Sequence, residues 1–447
     1  MIRKLAIYYI IFLLAFTWGI FVGYKKVFPY NIIRSIAKEV SEFYKGGKDL
    51  KDISIVDKIK NDIGLFPSRH LVEYSTDLKD TVEINIIDFD DRRDFKPLIR
   101  KFFDKKEDNF FKDGFLLVQG LYDFKDSLHG SILIDVDAEI INKWNYNYLE
   151  FSNKEKSLEE NLDTHPLVIL KDGSIIHTIH NQSFGSRIVK TSFCGDVEWT
   201  KEGNYHHSIS LDKNQNIWTL NAEDSLILLN SKDGSIIKEI FINDIIKKNR
   251  NLGIFNLHLE LPGINTLNKD PFHINDVEPL NFDFGNFKEN DLLISFRNTN
   301  LIFIINELNK VKWWRVGSTI RQHDPDWNRG FISVFDNSMR NNSIESEKNY
   351  MSRIINIDLK NYKIEEIYNG KKHSAYSVIK GNHQILNDKY ILVTMSMQGR
   401  VLIVDKFGNL KFEFLNKYNK SFNGIVGEAI WVNKNYFNFD IKNEKCN

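Results

Sequence analysis

Cysteine is almost missing from this sequence: 447 residues contain two, Cys194 and Cys446, far apart and in no CxxC spacing. A disulfide scaffold, a zinc knuckle and an iron–sulfur cluster are therefore not expected, and a single bridge would be incidental. Excess charge of either sign is missing too, since 60 Lys and Arg balance 60 Asp and Glu. No field is expected that would gather nucleic acid or an anionic membrane surface. Long apolar runs are also scarce. With 42% apolar and 27% charged residues the chain reads as ordinary globular protein, neither a disordered tail nor a multi-span membrane protein.

One apolar run does stand out, residues 5–24, LAIYYIIFLLAFTWGIFVGY, with no charge in it. Twenty helical residues cross a hydrocarbon layer about 30 Å thick. A cleavable signal peptide has a shorter apolar region and an A-x-A-like site, so residues 1–30 are read as an uncleaved single-pass anchor. The remainder then lies outside the cytoplasm, on the periplasmic or extracellular side. Residues 31–110 follow as a juxtamembrane helix and cap region. Ile32, Ile33, Ile36, Val40 and Phe43 fall at helical intervals up to Gly46 and Gly47, and residues 82–89 are read as a strand of the cap.

Past residue 110 one phrase recurs: an apolar strand, a polar or Gly turn, then a second apolar strand. Six copies occur, at 133–144, 189–199, 228–240, 304–314, 356–367 and 403–414. Each alternates apolar and polar residues around a turn, as an antiparallel hairpin does. A further apolar run lies upstream of each, and five of the six units have another before that. Four strands repeated every 40 to 50 residues mark a β-propeller, here all-β and six-bladed over residues 111–440. The first unit lacks its opening strand, and GEAIWVN at 427–433 is left over at the other end, so that segment is expected to complete blade one and close the ring.

Histidine follows the repeat. His165, His207, His273, His323 and His373 each open the first strand of successive blades, the strand that lines a propeller's central channel. Five imidazoles are thus expected at one mouth. Arginine is sparse, 15 against 45 lysines, yet Arg297 ends the second strand of blade four beside His273, and Arg321 precedes His323. A guanidinium suits a tetrahedral oxyanion. Asp324, Asp326 and Asn337 are expected to orient the imidazoles. His206 adjoins His207, and which of them faces the channel is open. HExxH is absent and the histidines come from different blades, so neither a metal nor another cofactor is expected.

The ordered segments FHINDVEPL (272–280), LLISFRNTNLIFIIN (292–306), KVKWWRVG (310–317), QHDPDW (322–327) and ISVFDN (332–337) resemble the arylsulfotransferase family, and looser similarity extends over about residues 110–415. The resemblance implies a six-bladed propeller that moves a sulfuryl group from a phenolic sulfate ester to a phenol without a nucleotide donor. It also implies a transient sulfohistidine, for which the QHD position matches His323. His207, His273 and Arg297 match the residues around the sulfate. His206, His373, Arg321 and Asn337 complete the expected substrate site. Two departures are visible: Asn298 stands where the family often has His, and QHDAR reads QHDPD. The partners implied are a small aryl sulfate and a phenolic acceptor, with the membrane reached through the N-terminal helix. Segment 241–271 is read as an insertion able to act as a lid. Competing readings are a membrane-tethered binding propeller without catalysis and a quinoprotein-type propeller. The latter would need a Trp-rich blade pattern, whereas the tryptophans here sit at hairpin ends.

Overall fold

Runs such as Leu292–Phe296 (LLISF) and Leu301–Ile305 (LIFII) are buried at every position, which a strand manages only where both faces of its sheet are covered. The two pair in simple register, Leu292 opposite Ile305 and Phe296 opposite Leu301. Leu292, Ile294 and Phe296 pack toward the preceding sheet, and Leu293 packs toward the following one. The same two-sided burial recurs around a ring of six antiparallel sheets, five of four strands and one of five, and in blades two to six the four strands run in sequence order from the channel outward. This is the expected six-bladed β-propeller. The computed structural model describes residues 13–19, 21, 71–73, 98–103, 108–123, 128–146, 164–181, 185–221, 225–256, 271–328, 330–338, 351–417, 422–444 and 446.

The innermost strands of blades two to six are Leu167–Ile169, Tyr205–Leu211, Ile274–Pro279, His323–Asn328 and Asn382–Leu386. Among the described residues one apolar cluster fills each gap between neighbouring blades. Each Leu, Ile or Phe so buried contributes about 1.5–3 kcal/mol, and no blade could keep these faces dry alone.

Blade one is completed as expected by the C-terminal strand Val426–Asn433, which pairs with Gly114–Asp123, Trp431 opposite Leu116. The chain then runs under blade two. Tyr436 Oη donates to the Ile169 carbonyl at 2.8 Å, and Asn438 N to that of Lys171 at 3.0 Å. A disulfide joins Cys446 to Cys194 in the outer hairpin of blade two, with Cα atoms 5.2 Å apart. The bridge is part of the closure, not an incidental link.

Blade six carries a fifth strand, Leu98–Lys101, paired with Leu410–Leu415. Part of the region read as a separate cap thus covers the outer edge of a blade. The strand read at 82–89 lies outside the described residues. The chain divides into units Met1–Ser68 and Arg69–Asn447. In the first, residues 13–19 and 21 are helical. Among the described residues no helix is long and apolar enough to cross a membrane, and most of the anchor read at 5–24 lies outside them. In the insertion after blade three, the helix Ile242–Lys248 buries Ile242 and Ile245 against the cluster between blades three and four. Residues 257–270 of the segment 241–271 read as a lid lie outside the described residues.

The bridge closes a loop of 252 residues, so removing it is expected to cost about 2–5 kcal/mol of stability. Urea unfolding of Cys446→Ser should show a lower midpoint than the oxidised wild type and match the wild type in reductant. Equal midpoints for all three would contradict this role.

Candidate active site

Four of the six innermost strands slip register near their start. His206 pairs with Leu220, but the next pair is Ile209 with Thr219. Ile274–Phe296 is followed by Asp276–Ser295, His323–Phe335 by Pro325–Val334, and Val426–Gly120 by Ala429–Val118. The surplus residues are His207 and Ser208, Asn275, Asp324, and Gly427 and Glu428. A bulge re-aims such residues off the regular alternation, and here they enter the channel. His207 and Asp324 take left-handed conformations, φ +69° and +53°. Gly427 has no room for a side chain, since a Cβ would stand 2.3 Å from the Thr164 carbonyl oxygen. These surplus residues other than Gly427 line a cavity of about 60 Å³ together with His165, His323, Asp276 and Asn382.

His323 is fixed most tightly. Its Nδ1 lies 2.6 Å from Asn337 Oδ1, and Asn337 Nδ2 donates to the carbonyls of Ser377 (2.8 Å) and Lys380 (2.7 Å). With its NH₂ spent on two carbonyls, Asn337 can only accept from His323. The ring is therefore the Nδ1–H tautomer, and Nε2 keeps its lone pair. Desolvation, with Arg297 and two further histidines nearby, lowers the His323 pKa to about 3, against a smaller upward pull from Asn337. A neutral imidazole with one nitrogen held and the other basic is a nucleophile ready at neutral pH. Gln322 anchors the motif from below, its Nε2 donating to Ser295 Oγ at 3.0 Å.

Around it the expected residues gather in part. The rings of His207 and His273 lie 4.8 Å apart, centroid to centroid, and those of His206 and His207 lie 4.3 Å apart. The open choice resolves: His207 lines the cavity, while His206 keeps regular pairing. Desolvation, then the neighbouring histidines, hold the His207 pKa well below 6.5. Arg297 follows its strand as expected, its N–H donating to the His273 carbonyl at 3.0 Å, and its side chain is buried. Arg321 donates from Nη1 to Asn298 Oδ1 at 3.0 Å, and Arg297 Nη1 lies 3.5 Å from the same oxygen. The asparagine that replaces the family's histidine thus sits between both guanidiniums.

His373 does not open an innermost strand. It ends the turn Gly370–His373 between blades five and six, its ring parallel to that of Tyr368 at 5.9 Å. Burial first, then Arg400 and Lys372, lowers its pKa to about 4. The innermost strand of blade six starts later and carries His383, which the repeat spacing missed. His383 N and Nδ1 both contact Asp324 Oδ2, at 2.6 and 2.9 Å, and Nε2 meets Ser333 Oγ at 2.7 Å. Asp324 and Asp326 therefore face His383, not His323. Asp276 and Glu428 were also missed, although HINDVE at 273–278 signals acids beside a histidine. Glu428 Oε2 lies 3.1 Å from His165 Nδ1.

A family model described as Arylsulfotransferase (ASST) matches residues 129–417, more than half of the chain. No curated protein matches. Among solved structures, a protein of unknown function from Bacteroides caccae is 10% identical over 71% of this chain and 98% of its own, with TM-score 0.44. A streptogramin B lyase is 12% identical over 75% and 98%, TM-score 0.40. BamB from Moraxella catarrhalis is 11% identical over 75% and 97%, TM-score 0.34. Likeness at this level carries no functional information.

The depressed His323 pKa makes a signed statement about stability. As pH falls below about 6.5 the unfolded chain takes up this proton first, while the folded ring resists until about pH 3. Stability from the neutral ring is full above pH 6.5 and is lost toward pH 3. Unfolding free energy of the wild type should therefore fall between pH 6.5 and 4 more steeply than that of His323→Gln, by on the order of 1 kcal/mol per pH unit. Parallel slopes would contradict the burial of a neutral ring.

Proposed function

The chain belongs to the arylsulfotransferase family, and from that premise we propose that it moves a sulfuryl group from a phenolic sulfate ester to a phenolic acceptor through a sulfohistidine on His323. The observation that carries this reading is the His323–Asn337 contact of 2.6 Å, which leaves Nε2 as the basic nitrogen. In the first half-reaction Nε2 attacks sulfur, the bond from sulfur to the aryl oxygen breaks, and the phenolate leaves with that electron pair. Arg297 and the flanking histidines neutralise charge on the sulfuryl oxygens. A proton reaches the phenolate from His273, since His207, held neutral, has none to give. In the second half-reaction that histidine takes the acceptor's proton, the phenolate oxygen attacks sulfur, and the N–S bond returns its pair to Nε2. Asn337 accepts from Nδ1–H throughout, stabilising the positive ring of the sulfated intermediate.

The uncharged residues 5–24 support an N-terminal membrane anchor with the propeller outside the cytoplasm, and the Cys194–Cys446 disulfide suits such an oxidising compartment. The substrates are small molecules that reach the channel mouth.

Nitrophenolate release from 4-nitrophenyl sulfate should depend on added phenol. His323→Ala should abolish it, and Asn337→Ala should lower kcat on the order of 10²-fold with KM little changed, because the ring is no longer held in one tautomer. Full transfer by folded His323→Ala would remove the nucleophile from the scheme. No release with any phenol would favour a propeller that binds without catalysis.

A further inference from the structure

The cavity lined by His165, His207 and His323 is also rich in oxygen acceptors. Asp276, Asp324 and Glu428 line the cavity, and Glu278 and Asp326 stand close enough to Asp276 and Asp324 to repel them. These carboxylates come from blades one, four and five. Positive partners stand beside some of them: His165 and the Lys380 charge near Glu428, and His383 beside Asp324 and Asp326. Carboxylates crowded together in a protein interior call for positive charge beside them.

Two buried amides point the same way, independently of the acids. Asn275 is 2% exposed, and its Nδ2 donates to the Gln322 carbonyl at 2.7 Å. Asn382 is 7% exposed, and its Nδ2 donates to Glu428 and to the Ala429 carbonyl. Both line the same cavity, and among the described residues neither Oδ1 meets a hydrogen-bond donor. A buried amide oxygen without a donor is costly, and a bound cation satisfies it. The bulges that bring His207 into the channel also bring Asn275, Asp324 and Glu428 there.

We infer that this channel cavity binds one hard divalent cation, of the calcium class, through Asn275, Asp276, Asp324 and Glu428. The tightest grouping nearby is Asp324, Asp326 and His383, whose ligand atoms lie within 4.8 Å of one another. His383 is not a ligand in it. Asn328 Nδ2 donates to Ser333 Oγ at 2.7 Å, leaving the Ser333 hydroxyl to donate to Nε2, while Nδ1–H donates to Asp324. Both ring nitrogens are occupied, and the ring instead holds Asp324 in place through Oδ2. The remaining donors are oxygens, the preference of calcium or magnesium over zinc or copper. Calcium suits them better, because its longer and more adaptable bonds span ligands supplied by separate blades. Asp324 and Asp326, with side chains 26% and 33% exposed, mark the entry path.

The test is metal content and thermal unfolding of the purified full chain, neither of which needs turnover. After equilibration with calcium and removal of free ion, about one equivalent should remain bound. EDTA should lower Tm by several degrees, and calcium should restore it at lower concentration than magnesium. Glu428→Gln and the more exposed Asp324→Asn, each checked for native circular dichroism, should weaken calcium at least about tenfold. No retained metal and no Tm response to EDTA or calcium would overturn the site. Calcium bound equally well by the folded variants would place the ion elsewhere and overturn it too.

Discussion

Every blade is covered on both faces, and that constraint decides where chemistry can occur. Strands such as Leu292–Phe296 have no solvent face on which to carry a polar side chain. What remains is the inner rim of the ring, where the innermost strands present an unpaired edge and can bulge without breaking a ladder on that side. Pro325, which lacks an N–H, sits in such a strand at no cost. Four bulges at equivalent places convert that rim into a site, turning His207, Asn275, Asp324 and Glu428 off their strands. The ring closure made by Val426–Asn433 and held by the disulfide is therefore also a site-forming step, since it delivers Glu428.

The rim separates two environments across a few ångströms. On one side His323 and His207 are kept neutral by burial and by one another, with Arg297 supplying the positive charge. On the other side carboxylates crowd with few positive partners. A sulfuryl group needs the first environment: a basic nitrogen for the bond and positive donors for the oxygens. The His165–Glu428 pair joins the two. His177 shows the contrast. It is also neutral, its pKa lowered to about 3 by burial, but it stacks on Tyr146 at 3.8 Å in the packing between blades one and two.

Much of the ring was legible because two-sided burial writes itself as unbroken apolar runs between turns, and the orphan strand at 427–433 implied the closure. His323, Arg297 and Asn337 were legible through short motifs, each at the end or start of such a run. What failed to read was anything set by a bulge or by distance in the chain. His206 and His207 could not be told apart, because a two-residue bulge beginning at His207 takes the strand off its regular alternation. His373 was placed one element too early, since the innermost strand of blade six starts only after the turn at Gly381, φ +104°. The disulfide joins residues 252 apart, and the carboxylates belong to three blades, so neither leaves a local pattern.

The most direct measurement is the intact mass of the protein after brief mixing with 4-nitrophenyl sulfate in the absence of acceptor, quenched in alkali, followed by peptide mapping. A sulfohistidine mechanism requires the mass of one SO₃ added to the wild type, located on the peptide containing His323, absent from His323→Ala and discharged by phenol. Transfer to phenol by an enzyme that never carries this mass, or that carries it on another residue, would contradict it.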